Sequence, residues 1–191
     1  MLIKHAKPVL TVLLVLALLL TATSCTAVEK RLYPLEHKEL IEKYAEKHGM
    51  PPELLAAVIK TESGFDENAR SRVGAIGLMQ LMPSTAEEIA WRMGVEYDAS
   101  ALTDPETNIS YGTYYLKHLY DLLGADWDNA CAAYNAGIGR VTGWLKNEEY
   151  CKDGKTLSYI PIEETRNYVN KINNYKEKYK KLYFDSEGDE Q

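Results

Sequence analysis

The sequence predicts an all-α (mainly α) fold, built as one irregular helical domain. Three observations carry this. Apolar residues recur at helical three-and-four spacing in several segments. No stretch alternates apolar and polar residues as a half-buried strand would. Gly or Pro punctuates nearly every segment. Many short helices separated by such breaks argue for an irregular globular domain rather than a regular bundle.

The elements follow in order. Leu35–His48 places Leu40, Ile41, Tyr44 and Ala45 together and stops at Gly49. Pro51-Pro52 opens a second helix, because proline is tolerated in a first turn. That helix runs to Ser63 and closes at Gly64, a candidate left-handed cap. Residues 66–83 carry Gly74 and Gly77 and end at Pro83, so loop and short turns are expected. Ser84-Thr85-Ala86-Glu87 reads as a capping box for a short helix to about Met93. Asp104-Pro105 starts a long helix with Ile109, Gly112, Leu116, Leu119 and Leu123 in register, stopped by Gly124. Asp126 or Asp128 starts the next, through Ala130 to Asn135, broken at Gly137 and Gly139. Arg140–Lys146 is a further short helix, and 147–162 a loop that turns at Asp153-Gly154. Glu163–Tyr183 aligns Tyr168, Ile172, Tyr175, Tyr179 and Leu182 on one face. The acidic tail, 185–191, is expected to fray.

The chain has 191 residues, 46% hydrophobic and 26% charged, which suits one domain with a real core. Its net charge of −6 is unevenly spread. Lys4 and Lys7 are the only Lys or Arg residues before Glu29, so residues 29–191 carry a net −8. An acidic body excludes nucleic acid as the expected partner, since phosphate binding needs a clustered basic face.

Residues 9–28 hold no charged side chain and follow a short basic preface with Lys4, His5 and Lys7. This is the pattern of an export signal or membrane anchor at 1–28, leaving a folded domain at 29–184. The strict apolar core, Val9–Leu20, suits a cleaved signal, whereas the whole uncharged stretch could cross a bilayer and remain as an anchor. Cys25 after Ala22-Thr23-Ser24 could instead become a lipid-bearing N-terminus, although Ala22 stands where such a motif usually has Leu. All three readings place the body outside the cytoplasm. Cys131 lies in a small-residue helical stretch, where a buried free thiol is expected, although an exported protein could pair it with Cys151. The four His residues are scattered, with no zinc spacing.

One carboxyl group breaks the helix pattern. Glu62 follows Val58 by four residues and Ile59 by three, so it falls on the apolar stripe of its helix. Burial there disfavours the charged form and raises the pKa, as a general acid needs. The alternative is that Glu62 bends out to solvent or pairs with Arg70 or Arg72. Beyond it, Gly74 and Gly77 frame a loop in which Gln80 could hydrogen-bond a sugar or amide and Met82 could line a groove. Tyr134 and Asn135 sit at a helix end beside glycines, and Tyr168 begins the face of the last helix. Taken alone, Gln80 reads as well as a surface residue, Met82 as core filler, Tyr134 and Tyr168 as core tyrosines and Asn135 as a cap.

Taken together, Glu62-Ser63, the run Gly77 to Pro83, the run Ala133 to Gly137, and the run Glu164 to Val169 resemble the transglycosylase SLT domain, a family of lytic transglycosylases with a goose-type lysozyme fold (glycoside hydrolase family 23). Asp104 to Ile109 also looks like the family, and the resemblance covers about residues 33–183. It implies a lysozyme-like domain with a substrate groove. It further implies cleavage of the bond between N-acetylmuramic acid and N-acetylglucosamine in peptidoglycan, without water and with formation of a 1,6-anhydro ring. On that resemblance Glu62 is the sole acid and base. Ser63 helps hold Glu62 or the substrate, Gln80, Met82, Tyr134 and Asn135 line the groove, and Tyr168 positions or polarises Glu62. Peptidoglycan strands are the implied partner, the membrane is reached through the N-terminus or a lipid on Cys25, and a monomer is expected. No metal or organic cofactor is implied. Two rivals stand beside this reading. A muramidase would need a second carboxylate, for which Asp66, Glu67 and Asp98 are available; a non-catalytic glycan-binding module would need no acid at Glu62.

Overall fold

The computed structural model describes residues 27–185. Nearly all of the segment read as signal or anchor, including Cys25, lies outside the described residues, as does all of the tail beyond Asp185. Among the described residues no helix is long and apolar enough to cross a membrane.

After a helical stretch at 27–32, the α-helices are α1 (Lys38–His48), α2 (Pro52–Glu62), α3 (Pro83–Met93), α4 (Pro105–Leu122), α5 (Trp127–Ala136), α6 (Ile138–Leu145) and α7 (Glu163–Tyr179). A 3-10 helix (Ala99–Thr103) precedes α4, and a π-helical turn (Lys180–Phe184) extends α7. The described residues hold no strand, only isolated bridges between Arg70 and Ile76 and between Ile76 and Leu81. The all-α expectation therefore holds.

Local chemistry explains most boundaries. Pro52, Pro83 and Pro105 each stand in a first turn, where the missing N–H costs nothing. Asp104 caps α4 by accepting from the Thr107 amide at 2.8 Å, and Asp126, rather than Asp128, caps α5 by accepting from the Asn129 amide at 2.9 Å. Three expectations need correction. The first helix begins at Lys38, not Leu35, because His37 adopts a left-handed conformation (φ 55°) just before it. The capping box at Ser84 does not form: Met82 occupies the cap position and makes no side-chain cap bond, since Pro83 already starts the helix. Gly139 does not break the chain, because α6 starts directly after Gly137.

The main core gathers α1, α2, α4, α5 and α7 around Ile41, Leu55, Ile59, Ile109, Leu116 and Ile172. Ala56 and Ala57 of α2 are fully buried, and such small side chains let α2 and α7 approach closely. A second cluster under α3 contains Ile76, Leu81, Ile89 and Leu102. The loop before α3 lies between these clusters. Cys131 and Cys151 are buried free thiols.

Candidate active site

α2 carries Glu62 to its C-terminal end, one turn beyond the fully buried Val58 and Ile59. The helix closes there, with Gly64 in the left-handed conformation (φ 68°). α7 packs across α2 and presents Tyr168, whose hydroxyl donates to Glu62 Oε1 at 2.5 Å. The partner is thus Tyr168, not Arg70 or Arg72, which are both exposed. Three influences act on the Glu62 carboxyl. Burial disfavours its charge, while the Tyr168 hydroxyl and the positive charge of Lys171 favour it. Burial wins, and the pKa is pushed from the ordinary 4.5 up to about 7. Among the described residues no carboxylate hydrogen-bonds to Glu62, and the three that the sequence offered have other partners. Asp66 accepts from the Asn68 amide, Glu67 faces His37 at 3.9 Å, and Asp98 caps the 3-10 helix through Ser100.

The loop at 69–82 is fastened on three sides. Ser63 donates its hydroxyl to the Leu78 carbonyl at 2.8 Å and accepts from the Phe65 amide at 3.1 Å, tying the end of α2 to the loop. Gln80, in a left-handed conformation (φ 48°), folds its amide back onto the Gly77 and Ala69 carbonyls at 3.0 and 3.2 Å. From α4, the fully buried Asn108 accepts from the Met79 amide at 2.7 Å and donates to the carbonyls of Leu102 (2.8 Å) and Ile76 (3.0 Å). This approach is close enough to require glycine at two places. A Cβ on Gly77 would collide with the Asn108 amide and the Leu102 carbonyl, and one on Gly112 of α4 with the Met79 side chain.

Beside this loop lies a cavity of about 310 Å³ lined by Gln80, Met82, Thr85, Tyr115, Tyr134 and Asn135, among others. Tyr134 donates its hydroxyl to the Met79 carbonyl at 2.7 Å, and its ring packs on Tyr115 with centroids 5.5 Å apart. Burial and the nearby Glu62 charge both push the Tyr134 and Tyr168 phenols well above 10, so they stay protonated donors. Asn135 is held by Thr165 of α7, whose hydroxyl donates to its Oδ1 at 2.8 Å. That bond fixes the amide and leaves its NH₂ end free to donate.

The structure brings Gln80, Met82, Tyr134 and Asn135 together on the groove and places Tyr168 on Glu62 itself. Ser63 does not line the groove; its hydroxyl is spent on backbone. Four contributors were given no role from the sequence: Asn108, Thr165, Tyr115 and Thr85. A signal for two of them exists. Asn108 lies four residues before Gly112 and Thr165 three before Tyr168, so each is a polar residue on an apolar helix face.

Known proteins resemble this chain in sequence and in fold. Residues 39–157 match the family "Transglycosylase SLT domain". The soluble lytic murein transglycosylase of Escherichia coli (strain K12) is 38% identical over 143 residues, covering 73% of this chain and 22% of that protein. Membrane-bound lytic murein transglycosylase C of Pectobacterium atrosepticum is 32% identical over 164 residues, covering 74% of this chain and 46% of its own length. The chain thus spans from about a fifth to under half of these relatives. Among solved structures, the lytic transglycosylase Slt of Pseudomonas aeruginosa, an inactive glutamate-to-glutamine mutant, superposes with a TM-score of 0.70 at 35% identity. That match covers 78% of this chain and 25% of the other. With the motifs in order along the chain and the fold in common, this chain belongs to the transglycosylase SLT domain family, with its goose-type lysozyme-like architecture.

Proposed function

We propose that the protein is a peptidoglycan lytic transglycosylase acting outside the cytoplasm. The observation that carries this reading is one desolvated carboxyl group, Glu62, with a pKa of about 7 and, among the described residues, no carboxylate hydrogen-bonded to it. Near neutral pH such a group can both give and take a proton. In the proposed reaction protonated Glu62 gives its proton to the glycosidic oxygen, and the bond from that oxygen to C1 of N-acetylmuramic acid breaks. The resulting carboxylate takes the proton of the C6 hydroxyl, whose oxygen bonds to C1 and closes the 1,6-anhydro ring. Glu62 ends protonated, no water is consumed, and the balance needs only one carboxyl group. A hydrolase that flanks its substrate with two carboxylates would need a second.

The other residues take supporting roles in this reading. Tyr168 holds Glu62 and steadies its charged form. Gln80, Met82, Tyr134 and Asn135 line the groove for the sugar rings, with Asn135 offering its NH₂ to a carbonyl such as an N-acetyl group. Ser63 secures the end of α2 to the loop. The E. coli and Pectobacterium relatives bear the name murein transglycosylase, and the Pseudomonas structure was inactivated by a glutamate-to-glutamine change, which supports the same assignment. The apolar segment within 1–28, retained as an anchor or processed to a lipid-bearing Cys25, supports a site outside the cytoplasm.

Mass spectrometry of digested purified peptidoglycan tests the reaction type. Anhydro-muramoyl ends are expected; reducing muramoyl ends would make the protein a muramidase instead. A second measurement tests the hydrogen bond on Glu62. Tyr168→Phe removes a donor that favours the carboxylate, so Glu62 should hold its proton to higher pH. The alkaline limb of the pH–rate profile, near pH 7 in the wild type, should then move upward. An unmoved limb would show that Tyr168 does not set the protonation of Glu62.

A further inference from the structure

The first and last described segments of the chain meet on one face. Tyr183, in the turn after α7, donates its hydroxyl to the Tyr33 carbonyl at 2.8 Å, and Tyr179 donates to the Pro34 carbonyl at 3.1 Å. The Tyr33 and Tyr175 rings meet edge to face, with centroids 5.9 Å apart. Glu29 accepts from Lys178 at 3.1 Å and lies 3.9 Å from Lys181. These contacts fasten the segment at 29–34 to the C-terminal end of α7. The uncharged stretch at 9–28 therefore joins the domain beside that end.

This face is basic and partly apolar. Residues 29–33 and 174–185 hold six Lys or Arg side chains against three acidic ones, while residues 29–191 as a whole carry a net −8. Lys178, Lys180 and Lys181 line a cavity of about 620 Å³ together with Tyr33 and Tyr175, and Glu177 and Asp185 offset part of their charge. Lys180 is exposed and has no carboxylate partner among the described residues. Lys30 and Arg31 are also exposed, and Lys30 rests over the Tyr183 ring at 5.0 Å. Val28 and Leu32 stand four residues apart on the helical stretch at 27–32, so they share a face, and they are 59% and 64% exposed. Exposed apolar side chains among lysines and tyrosine rings make up a surface suited to a lipid interface, where one end of a side chain is apolar and the other wet.

We propose that this face rests on the anionic headgroups of a phospholipid membrane, with the lysines against the phosphates and Val28 and Leu32 at the boundary beneath them. The proposal rests on the reading of 1–28 as a membrane attachment, which brings residues 29–33 to the lipid surface by covalent continuity. Tethering makes the second contact intramolecular, so a modest excess of positive charge suffices. One attachment alone leaves the domain free to swing; the second sets its orientation. Tyr168, which holds Glu62, lies ten residues before Lys178 on α7, about 15 Å at roughly 1.5 Å per residue. The contact therefore holds Glu62 off the lipid surface rather than against it.

The test reconstitutes the full chain in vesicles of phosphatidylcholine and in vesicles of equal parts phosphatidylcholine and phosphatidylglycerol. The tail is kept, since Glu187, Asp189 and Glu190 follow the face in sequence and oppose its charge. A water-soluble amine-acylating reagent is added outside, and mass spectrometry reads the labelling rate of each lysine relative to the exposed Lys47 at the far end of α1. The rates at Lys30, Lys178 and Lys180 should be about fivefold lower on the anionic vesicles and should recover in high salt. Combining Lys180→Glu with Lys181→Glu, both at exposed positions, should abolish the protection of Lys30 and Lys178 while the far-UV circular dichroism stays that of the wild type. Equal labelling on the two vesicle types would overturn the headgroup contact, and flotation of the chain with both would leave the attachment intact. A chain that floats with neither vesicle has no membrane attachment, and the contact falls with it.

Discussion

Glu62→Gln is expected to reduce glycan cleavage by about 10³-fold, within the range of general acid–base catalysis, and to leave the protein at least as stable as the wild type above pH 7. The two effects have one origin. The amide keeps the shape of the carboxylic acid and can accept the Tyr168 hydroxyl, so the contact at the end of α2 survives. It cannot deliver or take a proton, so both halves of the proposed reaction stop. The stability effect follows from linkage. In the folded protein the carboxyl holds its proton to about pH 7, whereas its ordinary pKa is 4.5. Between those values the folded form binds more protons than the unfolded chain, so stability falls as pH rises from about 4.5 to about 7. Glutamine does not titrate and escapes that loss. Initial rates on purified peptidoglycan, with thermal unfolding at pH 5 and pH 8, check both. Substantial residual turnover would remove Glu62 from the acid role. A wild type equally stable at the two pH values, with the variant matching it at both, would show that the carboxyl is not desolvated.

This pairing of lost activity with retained or gained stability marks a residue placed for chemistry rather than for folding. A structural glutamate would behave the other way, because its removal would break a pairing the fold relies on.

Glu62 was legible in the sequence because helix periodicity is local: a carboxyl three and four residues beyond Ile59 and Val58 must share their face. Tyr168 was legible as part of a helix face, but its bond to Glu62 joins residues 106 apart and depends on how α7 crosses α2. Gln80, Met82, Tyr134 and Asn135 were found through their motifs, because no local rule distinguishes a groove residue from core or surface. The helix starts show the same limit. Ser84 satisfies the pattern of a capping box, yet Pro83 outcompetes it by starting the helix two residues earlier, with Met82 in the cap position. The left-handed backbone at His37 and Gln80 carries no glycine to announce it, and at Gln80 the side-chain bonds to the Ala69 and Gly77 carbonyls hold the turn.

Asn108→Ala is expected to cause the largest stability loss of any single change near the site, about 4 kcal/mol. Its side chain makes three hydrogen bonds at 2.7–3.0 Å, all to backbone groups: the Met79 amide and the carbonyls of Ile76 and Leu102. Asn108 is fully buried, so water cannot simply replace the lost partner. Each buried group left unsatisfied costs about 1–3 kcal/mol, and the three together give the expected figure after partial relaxation. For a domain of this size each kcal/mol lowers Tm by roughly 2–4 °C, so a fall of about 10 °C is expected. Asn108→Asp separates hydrogen bonding from volume. It preserves size and the acceptor to Met79 but turns an oxygen toward two carbonyls, so it should be no better than alanine. The loss should also reach the chemistry in protein that is still folded. The anchored segment includes the Met79 carbonyl, which accepts from Tyr134, and the neighbouring Leu78 carbonyl, which accepts from Ser63 at the end of the Glu62 helix. Activity measured well below the lowered Tm should therefore fall as well. A Tm within about 2 °C of wild type, or less than 1 kcal/mol on the same scale, would show that the loop is held by its own bridges at Ile76 and not from α4.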